Sequence, residues 1–290
     1  MLIRSEFTAL PLRPLLGGRH GAGRGGLLGR PILSGLWCCA FAFALVLSAV
    51  AAQPASASTD SQAKADAIID RFLQETGELK SMEQVKTRRD RGTLTLPGLG
   101  IKGDVEVLAK VPNKTRMTMT IQGVGDIVEG YDGVVAWVLD PIQGYREKED
   151  LELSATARQA DFYLAANYKK HYPKREWMGE EVIDGKAADK IRLHPTEGAP
   201  EVWFIDKKSK LLVRMDTVSH LPQGDIESQV YLEDYKMVDG MMEPMRIRIV
   251  NPLAPVTMEL TTSETNVELA DSLFVSPRRD GKKEEILVIQ

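Results

Sequence analysis

Hydrophobic and polar residues alternate along the 201–250 stretch, and the alternation predicts β-strands. Met245, Ile247 and Ile249 fall on one side, and Arg246 and Arg248 fall on the other. A period of two with a single apolar side is typical of an antiparallel sheet that buries one face. The stretch therefore predicts four strands joined by short turns, in a sheet that the rest of the chain extends or covers.

The same two-residue period recurs elsewhere. Met117, Met119 and Ile121 alternate with Thr118 and Thr120. In a sheet with one solvated face the polar sets must share that face, so we expect this apolar trio to point the same way as the trio of the 245–249 segment. The apolar set Leu211, Val213 and Met215 is likewise predicted to share one side of its strand.

Turn signals divide the chain into about eleven or twelve strands. Asp132-Gly133 and Asp239-Gly240 are strong hairpin signals, because Gly adopts a positive φ without steric cost. Asp140-Pro141 is expected to end the first series of strands, since Pro cannot donate to a ladder. Consecutive strands with short connections favour a meandering antiparallel sheet, and a sheet this wide must twist and curl.

Two segments carry helical patterns, 60–76 and 151–172. The first has an apolar stripe at helical spacing that includes Ile69 and Phe72, and Gly77 suits its C-terminal cap. The second is rich in helix formers and ends before Pro173. The fold class is therefore mainly β (α+β), with two or more helices over the sheet. Its concave side either packs as a solid core or keeps an apolar cavity.

The first part of the chain differs from the rest. Residues 1–31 carry five arginines, and 32–52 is an unbroken uncharged run. Small-residue cleavage patterns follow at 49–51 and 55–57. These features predict a signal peptide over 1–57, cleaved between 51 and 58, and a periplasmic protein. The alternative is an uncleaved anchor in the inner membrane formed by residues 32–52.

Charge and cysteine content narrow the function further. Removing residues 1–57 would take the net charge from −4 to −8, which disfavours nucleic acid and anionic membranes as partners. Both cysteines, Cys38 and Cys39, lie in the leader, and Trp37 precludes a lipid-attachment motif. The mature chain would have neither a disulfide nor a Cys-ligated metal.

Catalytic motifs are absent from the sequence. It contains no G-x-S-x-G, H-E-x-x-H or phosphate-loop pattern. His171, His194 and His220 stand at the ends of predicted elements, where a structural role is favoured over metal binding. We therefore predict no catalytic residue, no metal site and no cofactor. Methionine is abundant on the apolar strand sides, where it would suit a variable apolar ligand or fill gaps in a core.

Several segments together resemble the outer-membrane lipoprotein-sorting proteins of the LolA-like class. They are YDGVVAWVLDPIQGYREK (131–148), QADFYLAANYKK (159–170), YLEDYKMVDGMMEPMRIRI (231–249) and DSLFVSP (271–277). The resemblance implies an incomplete β-barrel over 58–277, with helices over an apolar cavity that holds acyl chains. It also implies an arginine that ties a lid helix to the sheet, for which Arg88, Arg89 and Arg91 are candidates. The charged run that follows residue 277 predicts a solvated tail at 278–290.

The predicted function is a periplasmic carrier or binding protein for acylated lipoproteins or other lipids, with inner- and outer-membrane lipoprotein-transfer partners. The alternative is an envelope sensor or scaffold in which the half-barrel binds a protein. The residues predicted to line the lipid cavity are Ile69, Phe72, Met117, Met119, Ile121, Trp137, Trp203, Val213, Met215, Met245, Ile247, Ile249 and Met258.

Overall fold

The computed structural model describes residues 55–81 and 84–278. The predicted signal peptide, apart from its last residues, and nearly all of the predicted charged tail lie outside these ranges. The described chain is mostly β, as predicted. Its helices are α1 (Ala55–Glu75), α2 (Glu78–Ser81), α3 (Asp150–Gln159) and α4 (Tyr168–His171), with 3-10 turns at Pro97–Leu99 and Asp271–Phe274.

Thirteen strands form one antiparallel sheet that does not close into a barrel. The strands are β1 (Thr87–Leu96), β2 (Ile101–Lys110), β3 (Lys114–Ile121), β4 (Gly125–Tyr131), β5 (Ala136–Asp140), β6 (Gly144–Glu147), β7 (Lys174–Ile183), β8 (Lys186–His194), β9 (Glu201–Asp206), β10 (Leu212–Leu221), β11 (Gly224–Val238), β12 (Met241–Val250) and β13 (Val256–Thr265). Their order is β6-β5-β4-β3-β2-β1-β13-β12-β11-β10-β9-β8-β7.

Two features of this sheet differ from the sequence prediction. β6 lies beyond the strand series that the sequence predicts, which ends at Asp140-Pro141. The chain turns there on the Asp140 side chain, which accepts hydrogen bonds from the backbone N–H groups of Ile142 and Gln143. The two edge strands, β6 and β7, are consecutive along the chain. The segment between them, with α3 and α4, therefore crosses from one edge of the sheet to the other.

The sheet is strongly curled. α3 contacts both β5 and β10, which lie eight strand spacings apart in the sheet. Eight spacings would separate them by about 38 Å in a flat sheet, whereas a helix of 10 residues is only about 15 Å long. The curl brings these strands within reach of one short helix, and α3 lies across the concave side, which we call the inner face.

The predicted single helix at 151–172 is interrupted. α3 ends at Gln159, and the chain makes turns before α4 begins at Tyr168. Asp161 holds these turns: its carboxylate accepts hydrogen bonds from the Tyr163 backbone N–H and the Asn167 side-chain amide, and it pairs with His171 at 2.7 Å. These side-chain hydrogen bonds compete with the backbone hydrogen bonds of a continuous helix, and the chain forms turns here instead. The predicted helix at 60–76 is present and begins earlier, at Ala55.

Candidate functional site

Two rows of apolar side chains run across the inner face. Cross-strand pairing in an antiparallel sheet places directly opposed residues on the same face. One row passes through six strands, and consists of Ile121, Gly103, Leu94, Met258, Ile247 and Leu232. The second consists of Ile191, Trp203, Met215, Val230, Ile249 and Val256. Every side chain in both rows is buried, so the two rows form a continuous apolar band across the inner face.

The register brings most of the predicted cavity residues onto this face. Ile121, Ile247 and Met258 lie in the first row, and Trp203, Met215 and Ile249 lie in the second. By alternation, Met117 and Met119 share the face of Ile121, and Met245 shares that of Ile247. The strand pairing therefore places the β3 trio and the β12 trio on the same face, as expected.

Trp137 is a correction to the predicted set, because it lies on the opposite, outer face. It pairs with Gly130, which pairs with Arg116, and that row alternates with the one containing Met117. The Trp137 ring packs so closely over Gly130 that a Cβ there would come within 2.5 Å of it. The indole N–H donates to the carbonyl of Phe274 at 3.3 Å. Trp137 thus anchors the C-terminal segment rather than lining the inner face.

Val213 is the second correction. The pairing of β10 with β9 shifts between Leu212 and Arg214. Val213 packs against a cluster formed by Ile183, Ala188 and Phe204, which lies on the outer face because Phe204 points away from its neighbour Trp203. A bulge reverses the facing of the residues around it, and the buried Leu212 takes the inward position instead.

Aromatic contacts join the helices to the inner face. The α1 side chain Phe72 meets Trp203 edge-on, with ring centroids 6.4 Å apart, and Tyr172 meets the same indole at 6.1 Å. Phe72 and Ile69 are both fully buried. An Asp66–Arg175 pair, with two hydrogen bonds of 2.6 and 2.9 Å, fixes α1 along edge strand β7. This position also covers the backbone of that edge.

A cluster of charges is buried on the inner face near the start of β1. The Arg88 guanidinium donates to Asp90 at 2.9 Å and to Glu243 of β12 at 2.5 Å, and all three side chains are almost fully buried. Burial alone would raise the pKa of Glu243, but the Arg88 charge outweighs it, so the pKa lies below its ordinary value. Among the candidate arginines of β1, Arg88 is the one on the inner face; Arg89 and Arg91 pair with Glu106 on the outer face.

Sequence reasoning did not single out this cluster, although a signal was present. Arg88 and Asp90 share the parity of the apolar residue Leu94, and Glu243 shares the parity of Met245. Charged residues at core positions of an alternating strand indicate a buried ion pair, because an unpaired charge there would be very unfavourable.

Two further ion pairs lie under the segment that crosses the sheet between β6 and β7, which we call the crossover segment. Lys148 and Glu129 form a buried ion pair at 2.9 Å, beside a cavity of about 20 Å³ that Met117 and Thr156 also line. A cavity of that volume holds about one water molecule. Nearer the other edge, Glu201 of β9 pairs with Arg158 of α3 at 3.1 Å.

Glu201 also holds the crossover through Tyr172, whose hydroxyl donates to it at 2.9 Å. Burial and the neighbouring carboxylate raise the pKa of Tyr172 well above its ordinary value, so the phenol keeps its proton and remains a donor. The crossover is thus fixed to the sheet by charged hydrogen bonds rather than by apolar packing alone.

The described residues contain no group of three or more metal-ligating side chains. Each of the three histidines that the structure describes instead pairs with a carboxylate: His171 with Asp161 and His194 with Glu176, both at 2.7 Å, and His220 with Asp225 at 2.8 Å. Within the same ranges, no helix has both the length and the apolar character needed to cross a bilayer.

No family model matches the chain. Among solved structures, the fold is similar to that of a DUF1329 family protein from Desulfovibrio piger, with 13% identity and a TM-score of 0.50, over 74% of this chain and 98% of that one. It is similar also to a putative outer membrane lipoprotein-sorting protein domain from Vibrio parahaemolyticus, with 10% identity and a TM-score of 0.50, over 73% and 97%. The structure thus shares the fold of an outer membrane lipoprotein-sorting protein domain, the class that the sequence resemblance implied. Neither neighbour is named for an enzyme activity.

One curated protein matches at the sequence level. It is the acyl-homoserine lactone acylase QuiP of Pseudomonas aeruginosa, 24% identical over 182 residues, which make up 61% of this chain and 20% of that protein. The chain thus spans about a fifth of the curated relative that it matches.

Proposed function

We propose that this protein is a periplasmic carrier or binding protein that holds the acyl chains of lipoproteins, or of other lipids, against the inner face of its curled sheet. The observation that carries the proposal is the pair of apolar rows on that face, which continue across β3 to β1 and β13 to β8 without a charged side chain. The fold shared with a lipoprotein-sorting domain supports it.

The proposed mechanism is passive. An acyl chain gains ~0.8 kcal/mol for each methylene that leaves water for an apolar surface. Met119, Met215 and Met258 give that surface flexible side chains that adapt to chains of different length. The helices α1 and α3 would then form the cover that admits the chain, while the buried charges at Arg88 and Glu201 would stay paired with their carboxylate or guanidinium partners throughout.

A pair of tryptophan substitutions on β3 tests the proposal. Met119→Trp would add bulk to the inner face, where Met119 is buried, whereas Thr120→Trp would add the same bulk to the outer face, where Thr120 is exposed. The measurement is the affinity of the full chain for a fluorescent fatty acid, with the melting temperature as a check on folding.

We expect Met119→Trp to lower that affinity on the order of tenfold, because it occupies ligand space, and Thr120→Trp to leave it unchanged. A wild-type protein that binds no fatty acid and no extractable lipid, but copurifies with one protein in fixed ratio, would contradict the proposal and favour a sensor or scaffold.

A further inference from the structure

The loops at the two rims of the half-barrel differ in composition. In an antiparallel meander, alternate connections lie at opposite rims. Six connections share the rim at which β1 ends and β13 begins. We call it the apolar rim, and its connections are 97–100, 122–124, 141–143, 195–200, 222–223 and 251–255. The charged rim has the connections 111–113, 132–135, 184–185, 207–211 and 239–240.

Large apolar side chains project from three of the hairpin tips at the apolar rim. Leu99 is 43% exposed, Ile142 is 67% exposed and Leu253 is 49% exposed. Their neighbours in the tips are Gly, Pro, Gln, Asn and Ala. Within these six connections, all of which the structure describes, Glu197 is the one charged residue.

The charged rim gives the contrast. It also exposes apolar side chains, with Val134 at 70% and Val182, in β7 beside the 184–185 connection, at 68%. There, however, the connections carry both signs of charge in a smaller number of residues, namely Asp132, Asp184, Lys207, Lys208, Lys210 and Asp239. Exposed apolar residues are ordinary on protein surfaces, so the distinguishing feature of the apolar rim is the loss of charge from successive exposed tips.

We infer that the apolar rim docks on a lipid bilayer, with Leu99, Ile142 and Leu253 inserted among the acyl chains. Hydrocarbon accepts such side chains and strongly disfavours Asp, Glu, Lys and Arg, which is the composition that the tips show. Backbone and side-chain amides of the Gly, Gln and Asn residues can hydrogen-bond to headgroups. A surface that binds another protein, by contrast, normally has one contiguous apolar patch surrounded by polar residues.

The net charge of the chain identifies the class of bilayer. At −4 the full chain is repelled by anionic lipid, and the apolar rim offers no cluster of Lys or Arg to overcome that repulsion. The surface therefore suits neutral, zwitterionic headgroups, and binding should depend little on salt, because apolar insertion rather than ion pairing drives it.

The inner face reaches the same rim. Leu96, Ile121, Ile249 and Val256 lie at the ends of their strands next to the apolar rim, and all four are buried. The Arg88 cluster lies towards the opposite rim, because β1 begins there. An acyl chain passing between a docked bilayer and the inner face would thus meet apolar side chains, although the docking inference rests on the loops alone.

Hydrogen–deuterium exchange of the full chain tests the inference, with and without phosphatidylcholine vesicles. We expect vesicles to slow exchange of the amides at 97–100, 141–143 and 251–255, and to leave 132–135 and 207–211 unchanged, at low and high salt alike. No protection at the apolar rim, or equal protection at both rims, would overturn it.

Matched triple variants sharpen the test through vesicle co-sedimentation. The combination of Leu99→Ser, Ile142→Ser and Leu253→Ser should lower the partition coefficient by at least about tenfold. The control combines Val134→Ser, Val182→Ser and Met237→Ser, which are also exposed, and should bind as the wild type does. Every variant keeps residues 1–57, so that segment is the same in all the proteins compared. Equal losses in the two triple variants, or a tip variant that binds vesicles normally but loses a copurifying protein, would refute bilayer docking.

Discussion

Strand β12 presents Met245, Ile247 and Ile249 to the inner face, and Arg246 and Arg248 to the outer face of the same sheet. On the outer face both arginines pair with nearby carboxylates, and Arg248 also stacks on an aromatic ring. Arg248 lies 3.9 Å from the ring centroid of Tyr231 and 2.9 Å from Glu233.

This outer arrangement continues along the next strands. Arg214 lies 4.3 Å from the centroid of Phe204 and pairs with Asp216 at 2.6 Å. Charged side chains on the outer face are thus paired with neighbours on the same strand or the next one, within reach of solvent. The inner face instead concentrates its few charges into buried ion pairs and leaves the rest apolar. The difference indicates that the outer face stabilises the sheet by itself, whereas the inner face depends on whatever covers it.

The largest expected difference between the faces comes from neighbouring arginines on β1. Arg88→Ala would leave the buried carboxylates of Asp90 and Glu243 without their cation, so we expect the free energy of unfolding to fall by about 3–5 kcal/mol. Arg89→Ala, on the outer face, should lower it by about 0–1 kcal/mol. Urea unfolding measures both, and equal losses would mean that the faces do not differ as described.

Two tryptophans separate stability from ligand retention. Trp137→Ala and Trp203→Ala should each lower the free energy of unfolding by about 3 kcal/mol, because both side chains are buried. Only Trp203→Ala should also reduce retention of a bound fatty acid, since Trp203 lies on the inner face. If Trp137→Ala reduced retention as much at matched stability, the outer face would share in binding.

The crossover segment offers a pH-dependent test. Burial would raise the pKa of Asp161, but hydrogen bonds from His171, Tyr163 and Asn167 outweigh it and lower the pKa below 3.8. The carboxylate therefore adds stability that is complete above pH 3.8 and is lost as the pH falls through its lower folded value. Asp161→Asn should lower the free energy of unfolding by about 1–2 kcal/mol at neutral pH. Chemical unfolding as a function of pH should show the difference shrinking below pH 3.8; a difference that grows in acid would contradict this sign.

The smallest effect is expected on the outer face of β12. Arg248→Gln removes one cation–π contact and the ion pairs with Glu233 and Asp184, which are at least partly exposed, so the loss in unfolding free energy should stay below about 1 kcal/mol. The melting temperature should become less sensitive to salt, and fatty-acid retention should not change. A loss comparable to that of Arg88→Ala would show that the outer network is as important to the fold as the buried one.

Strand alternation was enough to predict the faces of β3 and β12, because a one-residue slip would expose every apolar residue. Strand alternation gave the wrong face where a bulge interrupts the strand, or where both sides of the strand are apolar. The bulge near Val213 depends on the pairing of β10 with β9, which no periodicity within β10 reveals. Trp137 stands between apolar neighbours, so both parities of β5 fit a buried face.

The remaining differences come from side-chain hydrogen bonds within turns, which neither periodicity nor helix propensity takes into account. The break after α3 depends on Asp161 meeting His171 across a turn, and intrinsic helix propensity could not indicate that contact. β6 follows Pro141 because the Asp140 side chain organises a tight turn there. The Arg88 cluster, by contrast, could have been predicted, since parity places all three of its charges among apolar residues.

Solvent extraction and mass spectrometry of the protein, purified without detergent from its native cells, test the central claim most directly. Acyl chains held on the inner face predict a lipid or lipoprotein acyl species in near-stoichiometric amount, and its depletion in Met119→Trp but not in Thr120→Trp. An extract that contains no acyl species, from a protein that is folded and also fails to take up added fatty acid, would contradict the account.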